Sequence, residues 1–240
     1  MKTRKNGPTK KVQDNTAHNT LISILLDCSG SMSDLVSDVI GGVNTMIKEQ
    51  ADLKARKSLM ISKFDGNYEV VRPIADPKNM DPISSDEYFA RGSTALLDSV
   101  GRNIADMKAK IREASTTSSP YTRALLVIFT DGQENSSREF SKANINSMIS
   151  ELRSSGFWEF NFVGTNQDAI TEAGNLGIPM LNAAFFSNNT KGVRSSLRGV
   201  GQSITAYAWG ASNNLSSQNY CTEGEDIPIG NATSATTDSQ

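Results

Sequence analysis

Residues Leu21 to Met32 read LISILLDCSGSM, and the rest of the chain is read outward from them. Leu21, Ile22, Ile24, Leu25 and Leu26 form an almost unbroken apolar run around Ser23, too short for an ordinary helix and bounded by Gly30. Such a run suits a β-strand covered on both faces. It stops at Asp27, with Ser29 and Ser31 at the next alternate positions. A backbone that stays extended there would point one carboxylate and two hydroxyls the same way. These hard oxygen donors match Mg²⁺, Mn²⁺ or Ca²⁺ and match zinc or copper poorly, and Gly30 lets the chain turn where a Cβ would crowd them. A second reading is open at this point. Ser31 also begins S-M-S-D with Asp34, a weak capping-box pattern, and Asp27 and the serines would then only cap a helix.

The 240 residues are enough for one large domain or two small ones, with 37% hydrophobic and 21% charged residues and a formal net charge of -2. That balance gives no reason to expect binding to nucleic acid or attraction to a membrane surface. No apolar stretch has the length of a membrane span and the first residues lack a signal-peptide core, so a cytoplasmic protein is expected. Two cysteines, Cys28 and Cys221, are too few for a disulfide framework and are expected as free thiols. The single histidine, His18, argues against a histidine-based triad or zinc site.

Residues 1–20 are polar, with Lys2, Arg4, Lys5, Lys10 and Lys11, and read as a flexible basic arm. Helical spacing of Leu35, Val39, Val43 and Met46 beside Val36, Ile40 and Ile47 predicts a helix from about Ser33 to Lys54. Ser58 to Asp65 and Tyr68 to Ile74 read as a hairpin through Gly66-Asn67, and Pro73 places its second strand at an edge. After an irregular stretch from Asp76 to Arg91, Gly92-Ser93-Thr94 leads into a helix carrying Leu97, Val100, Ile104, Met107 and Ile111. Thr122 to Thr130 is a second apolar run, ending at Asp131-Gly132. Beyond it come a helix around Ile145, Met148, Ile149 and Leu152, a strand from Phe157 to Val163, a short helix from Ala169 to Leu176, and a last strand at Ile178 to Leu181. A final helix carries Val193, Leu197, Val200, Ile204 and Tyr207, and residues 211–240 read as a disordered polar tail. Trp158 and Trp209 are expected in the core or half-buried.

Strands alternating with helices predict an α/β fold: one domain over residues 21–210, with a doubly wound, mostly parallel sheet, one antiparallel edge strand and helices on both faces. Ligands of such folds bind at the carboxyl ends of the strands. Asp27 and Asp131 stand at two such ends, and Thr94 stands in a loop opening a helix.

These residues resemble a von Willebrand factor type A (vWA) domain with its metal-ion-dependent adhesion site. The resemblance lies in the D-x-S-x-S of Asp27, Ser29 and Ser31, in Thr94, and in Thr130-Asp131-Gly132, and spans about Leu21 to Tyr207. It implies that Ser29, Ser31 and Thr94 offer hydroxyls to an ion, usually Mg²⁺, while Asp27 and Asp131 act directly or through water. It further implies a protein partner whose Asp or Glu completes the coordination. Glu134 and Asn135 either border the ion or belong to a loop capping the next helix, and Gly164, Thr165 and Asn166 either contour the ligand face or turn into a helix. The side chain of Cys28 should point away from the ligands into packing.

The function expected is therefore metal-dependent protein binding without catalysis. Alternatives are an adaptor for a cytosolic AAA-type ATPase, as prokaryotic proteins resembling this one often are, or a structural part of a phage or surface assembly. A metal-dependent hydrolase is disfavoured, because no D-x-D pair, P-loop or G-x-G-x-x-G fingerprint is present. Docking of the tail acids Glu223, Glu225 and Asp226 onto the chain's own metal site is a further, minor alternative.

Overall fold

The structure, a computed structural model, describes residues 18–131, 133–165 and 168–211. Expectations resting on residues 1–17, Gly132, Asn166, Cys221 and the tail beyond Ala211 lie outside the described residues.

The apolar run forms β1 (Thr20–Asp27), and every residue of it is buried. Successive side chains enter opposite faces of the sheet, so Ile22, Ile24 and Leu26 join one core and Leu21 and Leu25 the other. Each fully buried aliphatic contributes about 1.5–3 kcal/mol, which fixes this strand at the centre. The chain then makes a 3-10 turn (Gly30–Leu35) and α1 (Val36–Asp52), so the helix expected from Ser33 is preceded by a tighter turn. Next come β2 (Lys57–Phe64), β3 (Tyr68–Ala75), α2 (Leu96–Ala114) and β4 (Arg123–Phe129). The chain continues through α3 (Lys142–Ser154), β5 (Trp158–Thr165), α4 (Asp168–Asn175), β6 (Ala183–Phe186) and α5 (Thr190–Ala208).

The six strands are ordered β3-β2-β1-β4-β5-β6, parallel except for the antiparallel edge strand β3, as the sequence predicts. Pro73 lies in that edge strand, where a missing N–H costs no ladder bond. Helices α1 and α5 cover one face of the sheet, and α2, α3 and α4 cover the other. At α1 and α5 the approach is close: a Cβ on Gly42 would lie 2.5 Å from Leu197 Cδ1. From β1 the chain winds first to β2 and then returns to β4 on the other side, so the switch point lies between the carboxyl ends of β1 and β4. In open α/β sheets that crevice is where ligands sit.

Two expectations are corrected. The last strand is Ala183–Phe186, not Ile178 to Leu181. Ile178 is the apolar residue of a helix-ending motif: its N–H bonds Ala173 O, that of Gly177 bonds Gly174 O, and Gly177 takes φ 82°. Pro179 then opens a 3-10 turn (Met180–Asn182), which leaves Met180 and Leu181 exposed. Trp158 is buried as expected, but Trp209, just past the end of α5, is 43% exposed. Among the described residues no helix is long and apolar enough to cross a membrane.

Candidate metal centre at the sheet switch point

At the end of β1 the Asp27 side chain is fully buried and both of its oxygens are engaged. Oδ1 accepts from the Ser29 backbone N–H at 2.7 Å, and Oδ2 accepts from the Thr130 hydroxyl at the end of β4. The chain does not stay extended beyond this point. The turn at Gly30 brings Ser29 Oγ and Ser31 Oγ within 3.1 Å of each other, and Ser31 Oγ donates to Asp131 Oδ1 at 2.7 Å. The serine hydroxyls thus converge on the second carboxylate through the turn. Neither acts as a helix cap, since the N-cap Ser29 makes no side-chain bond to the turn.

Thr94 is buried in the loop before α2, and that loop is stitched to the loop after β1 and to the turn between β2 and β3. Gly30 N–H bonds Gly92 O at 3.3 Å, Arg91 N–H bonds Cys28 O at 2.8 Å, and Ala95 N–H bonds Asp65 O at 2.8 Å. Gly92 sits at φ 68°, a conformation glycine adopts without strain. The hydrogen bonds of Thr94 run to Asn135: Thr94 N–H to Asn135 Oδ1 at 2.9 Å and Asn135 N–H to Thr94 O at 3.0 Å. Four of the five expected ligand residues, Asp27, Ser29, Ser31 and Asp131, are therefore joined directly or through Thr130. The fifth is brought alongside by its loop.

Of the two readings open to Glu134 in the sequence, the structure corrects the capping of the next helix. Its carboxylate accepts from Ser136 N–H, Ser137 N–H and the Ser137 hydroxyl at 2.7 to 2.9 Å, and from Leu97 N–H at 2.9 Å. It caps α2, whereas α3 has its own capping box of Ser141 and Asn144. Thr165 donates its hydroxyl to Asp131 O at 3.1 Å and so steadies the end of β4 from β5. Tyr88 lies in the stretch read as irregular. It is fully buried, and its hydroxyl donates to the Asp27 carbonyl. Its aromatic ring, beside Phe89 in a polar loop, is the one signal the sequence offers for it.

Burial pushes the Asp27 carboxyl above its ordinary range, opposed by the hydrogen bonds from Thr130 and Ser29, and the Asp131 charge adds to the upward push. Burial likewise raises Asp131, opposed by Ser31. Among the described residues neither carboxylate forms an ion pair. Two partly desolvated carboxylates without a cation are costly, and a divalent ion is the charge that would balance them. The donor set fits such an ion: two carboxylates and three hydroxyls, all hard oxygens. No group of three or more Asp, Glu, His or Cys side chains that could hold a metal ion is found among the described residues, at this cluster or elsewhere. Cys28 is buried in the core beneath, as expected, and burial pushes its thiol up to about 12, which leaves it inert as a nucleophile.

No protein-family model matches the chain and no curated protein matches its sequence. Solved structures do match. The PilB minor pilin from Streptococcus sanguinis superposes with a TM-score of 0.57 at 13% identity, covering 84% of this chain and 64% of the pilin. The SpRpn10 VWA domain gives 0.52 at 11% identity over 75% of this chain and 94% of that domain. A von Willebrand factor type A protein from Catenulispora acidiphila gives 0.52 at 18% identity over 81% of this chain and 43% of its own. The chain thus spans less than two thirds of the pilin. At these identities the likeness is one of fold: a vWA-like sheet and helix arrangement.

Proposed function

We propose that this chain is a protein-binding module in which a divalent cation, Mg²⁺ with Mn²⁺ or Ca²⁺ as substitutes, is held by Asp27, Ser29, Ser31, Thr94 and Asp131. The observation that carries this reading is the hydroxyl chain from Ser29 through Ser31 to Asp131, beside the buried Asp27, at the carboxyl ends of β1 and β4. When bound, the ion supplies a Lewis-acidic position for one more anionic oxygen, an Asp or Glu carboxylate of the partner. The chain's own residues do the rest. Two carboxylates balance the charge of a divalent ion, and the neutral hydroxyls leave it receptive to a further anion. Thr130 and Tyr88 hold Asp27 from its side chain and its carbonyl, and Asn135 holds the loop of Thr94.

The reading assigns binding without turnover. Capture from native lysate in Mg²⁺ against chelator tests it. Partners retained only in Mg²⁺, and lost with Asp27→Ala, support it; the same partners retained in chelator would sink it. Two settings for such a module remain as alternatives: an adaptor for a cytosolic AAA-type ATPase, and a component of a phage or surface assembly. The fold shared with a minor pilin favours the second as a line to test. An ATPase among the proteins lost in chelator would decide for the first.

A further inference from the structure

On the β2 side of the cluster, in the loop that carries Thr94, Arg91 is held both by its backbone and by its side chain. Its N–H bonds Cys28 O in the loop of Ser29 and Ser31, and the next residue, Gly92, accepts from Gly30 N–H. Its side-chain Nε donates to Asp65 Oδ2 at 2.5 Å, and its guanidinium lies over the Phe89 ring, 4.9 Å from the centroid. Asp65 is turned inward: its side chain is 5% exposed, and its other oxygen accepts from Asn67 N–H at 2.7 Å. The Arg91 side chain is 48% exposed. Its terminal nitrogens, Nη1 and Nη2, carry the rest of the guanidinium's donors and have no protein partner among the described residues. A second cation shares the ring, Lys63 Nζ at 5.1 Å from the centroid, but it is buried and taken up by Glu87 O and Glu69. Arg91 is therefore the cation that a partner can reach.

We infer that Arg91 receives a second acidic side chain of the partner whose carboxylate reaches the metal; the inference rests on the binding reading above. A carboxylate is the protein anion that a guanidinium edge fits, through N–H donors lying in one plane. Asp65 offsets part of the Arg91 charge, but its oxygens are buried and occupied, so an incoming carboxylate meets the open N–H edge. A half-exposed ion pair adds little stability of its own. The Asp65 bond and the stack on Phe89 do more to aim the guanidinium, and a side chain fixed before contact loses less entropy on binding. The backbone bonds to Cys28 and Gly30 join Arg91 to the ligand loops, so the guanidinium and the ion keep a set spacing. The partner accordingly presents two acids at that spacing, and a lone acid, or an acid beside a base, binds more weakly.

The test uses fluorescein-labelled nonapeptides of glycine and serine with one central glutamate and a glutamate, glutamine or arginine at each other position in turn. Binding to the full chain is read by anisotropy in Mg²⁺ and in EDTA. At one or two spacings the peptide with a second glutamate should bind about fivefold tighter than its glutamine counterpart, and the arginine peptide more weakly. Arg91→Gln should abolish that preference, and Arg91→Lys, which keeps a cation on Asp65 without the planar edge, should lose most of it. In both variants the glutamine peptides, which reach only the metal, should keep their affinity, a result that a folding defect would not produce. Mg²⁺-dependent binding with equal affinity for glutamate and glutamine peptides at every spacing, or a preference that survives both substitutions, overturns the inference and leaves the metal reading standing. Loss of the glutamine peptides in both variants overturns it as well, since Arg91 then only supports its loop. Binding indifferent to EDTA, or no binding of any peptide, overturns both readings.

Discussion

Ser31 donates its hydroxyl to Asp131 Oδ1 at 2.7 Å, tying the loop after the first strand to the end of the fourth across 100 residues of sequence. Both groups are partly open to solvent, so this bond is worth about 1 kcal/mol. Ser31→Ala should lower unfolding stability by about that much in chelator. Because the same hydroxyl is a proposed ligand, Mg²⁺ affinity should fall by about tenfold or more. Isothermal titration with Mg²⁺ beside urea unfolding in EDTA separates the two effects; unchanged affinity would remove Ser31 from the ligand set.

The site also predicts a pH dependence of definite sign. Burial raises Asp27 and Asp131 above their ordinary value of 3.8. A carboxyl raised on folding contributes stability below its unfolded pKa, and that contribution is lost as pH rises through the folded value. In EDTA the two aspartates should therefore cost stability from about pH 4 upward, through their raised values. Mg²⁺ replaces the protons, so the stabilisation it confers should grow over the same window. Urea unfolding at stepped pH, with EDTA and with Mg²⁺, checks this, and a Mg²⁺ gain flat with pH contradicts it.

Tyr88 reaches the same strand end from below, its buried hydroxyl on the Asp27 carbonyl. Tyr88→Phe keeps the ring in the core but strands a buried acceptor, a loss of about 1–3 kcal/mol. Mg²⁺ affinity should weaken with it, because the carbonyl belongs to the residue whose carboxylate anchors the cluster. Thermal unfolding and Mg²⁺ titration of the variant measure both; a fully stable variant with native affinity would show that the bond positions nothing.

Glu134 joins the loop after β4 to the N-terminus of α2 by accepting from Leu97 N–H while holding Ser136 and Ser137. Glu134→Ala leaves these donors unpaired and removes a negative charge from a helix start, for about 1.5–3 kcal/mol. The neighbouring Asn135 clamps Thr94, so the Thr94 loop should loosen as well. Hydrogen exchange should rise at residues 92–98 and 133–137 and stay native in β5; protection unchanged in α2 would refute the capping role.

Much of this arrangement is legible in the sequence because it is written in side-chain pattern. The apolar runs of β1 and β4, each ending at an aspartate, and the helical spacing around Val39 and Ile104 fix the alternation of strand and helix. What is not legible depends on contacts far apart in the chain. Ala183–Phe186 is a strand because an edge of β5 is available to it, and its two alanines give little signal; the more strand-like Ile178 serves a helix end instead. Asp27, Ser29 and Ser31 are legible as a set, but the way they converge is not, since the chain turns at Gly30 rather than staying extended. Glu134, Asn135 and Tyr88 sit in polar loops whose partners are 37, 41 and 61 residues away. Nothing local marks which groups they hold.

The most direct measurement is anomalous diffraction from crystals of the protein grown with Mn²⁺, a spectroscopically distinct substitute for Mg²⁺. The account predicts one strong peak among the oxygens of Ser29, Ser31, Thr94 and Asp131, at about 2.0–2.3 Å from its direct ligands, and its loss in Asp131→Asn. Ordered crystals with no peak there, or with manganese bound only elsewhere, would contradict it.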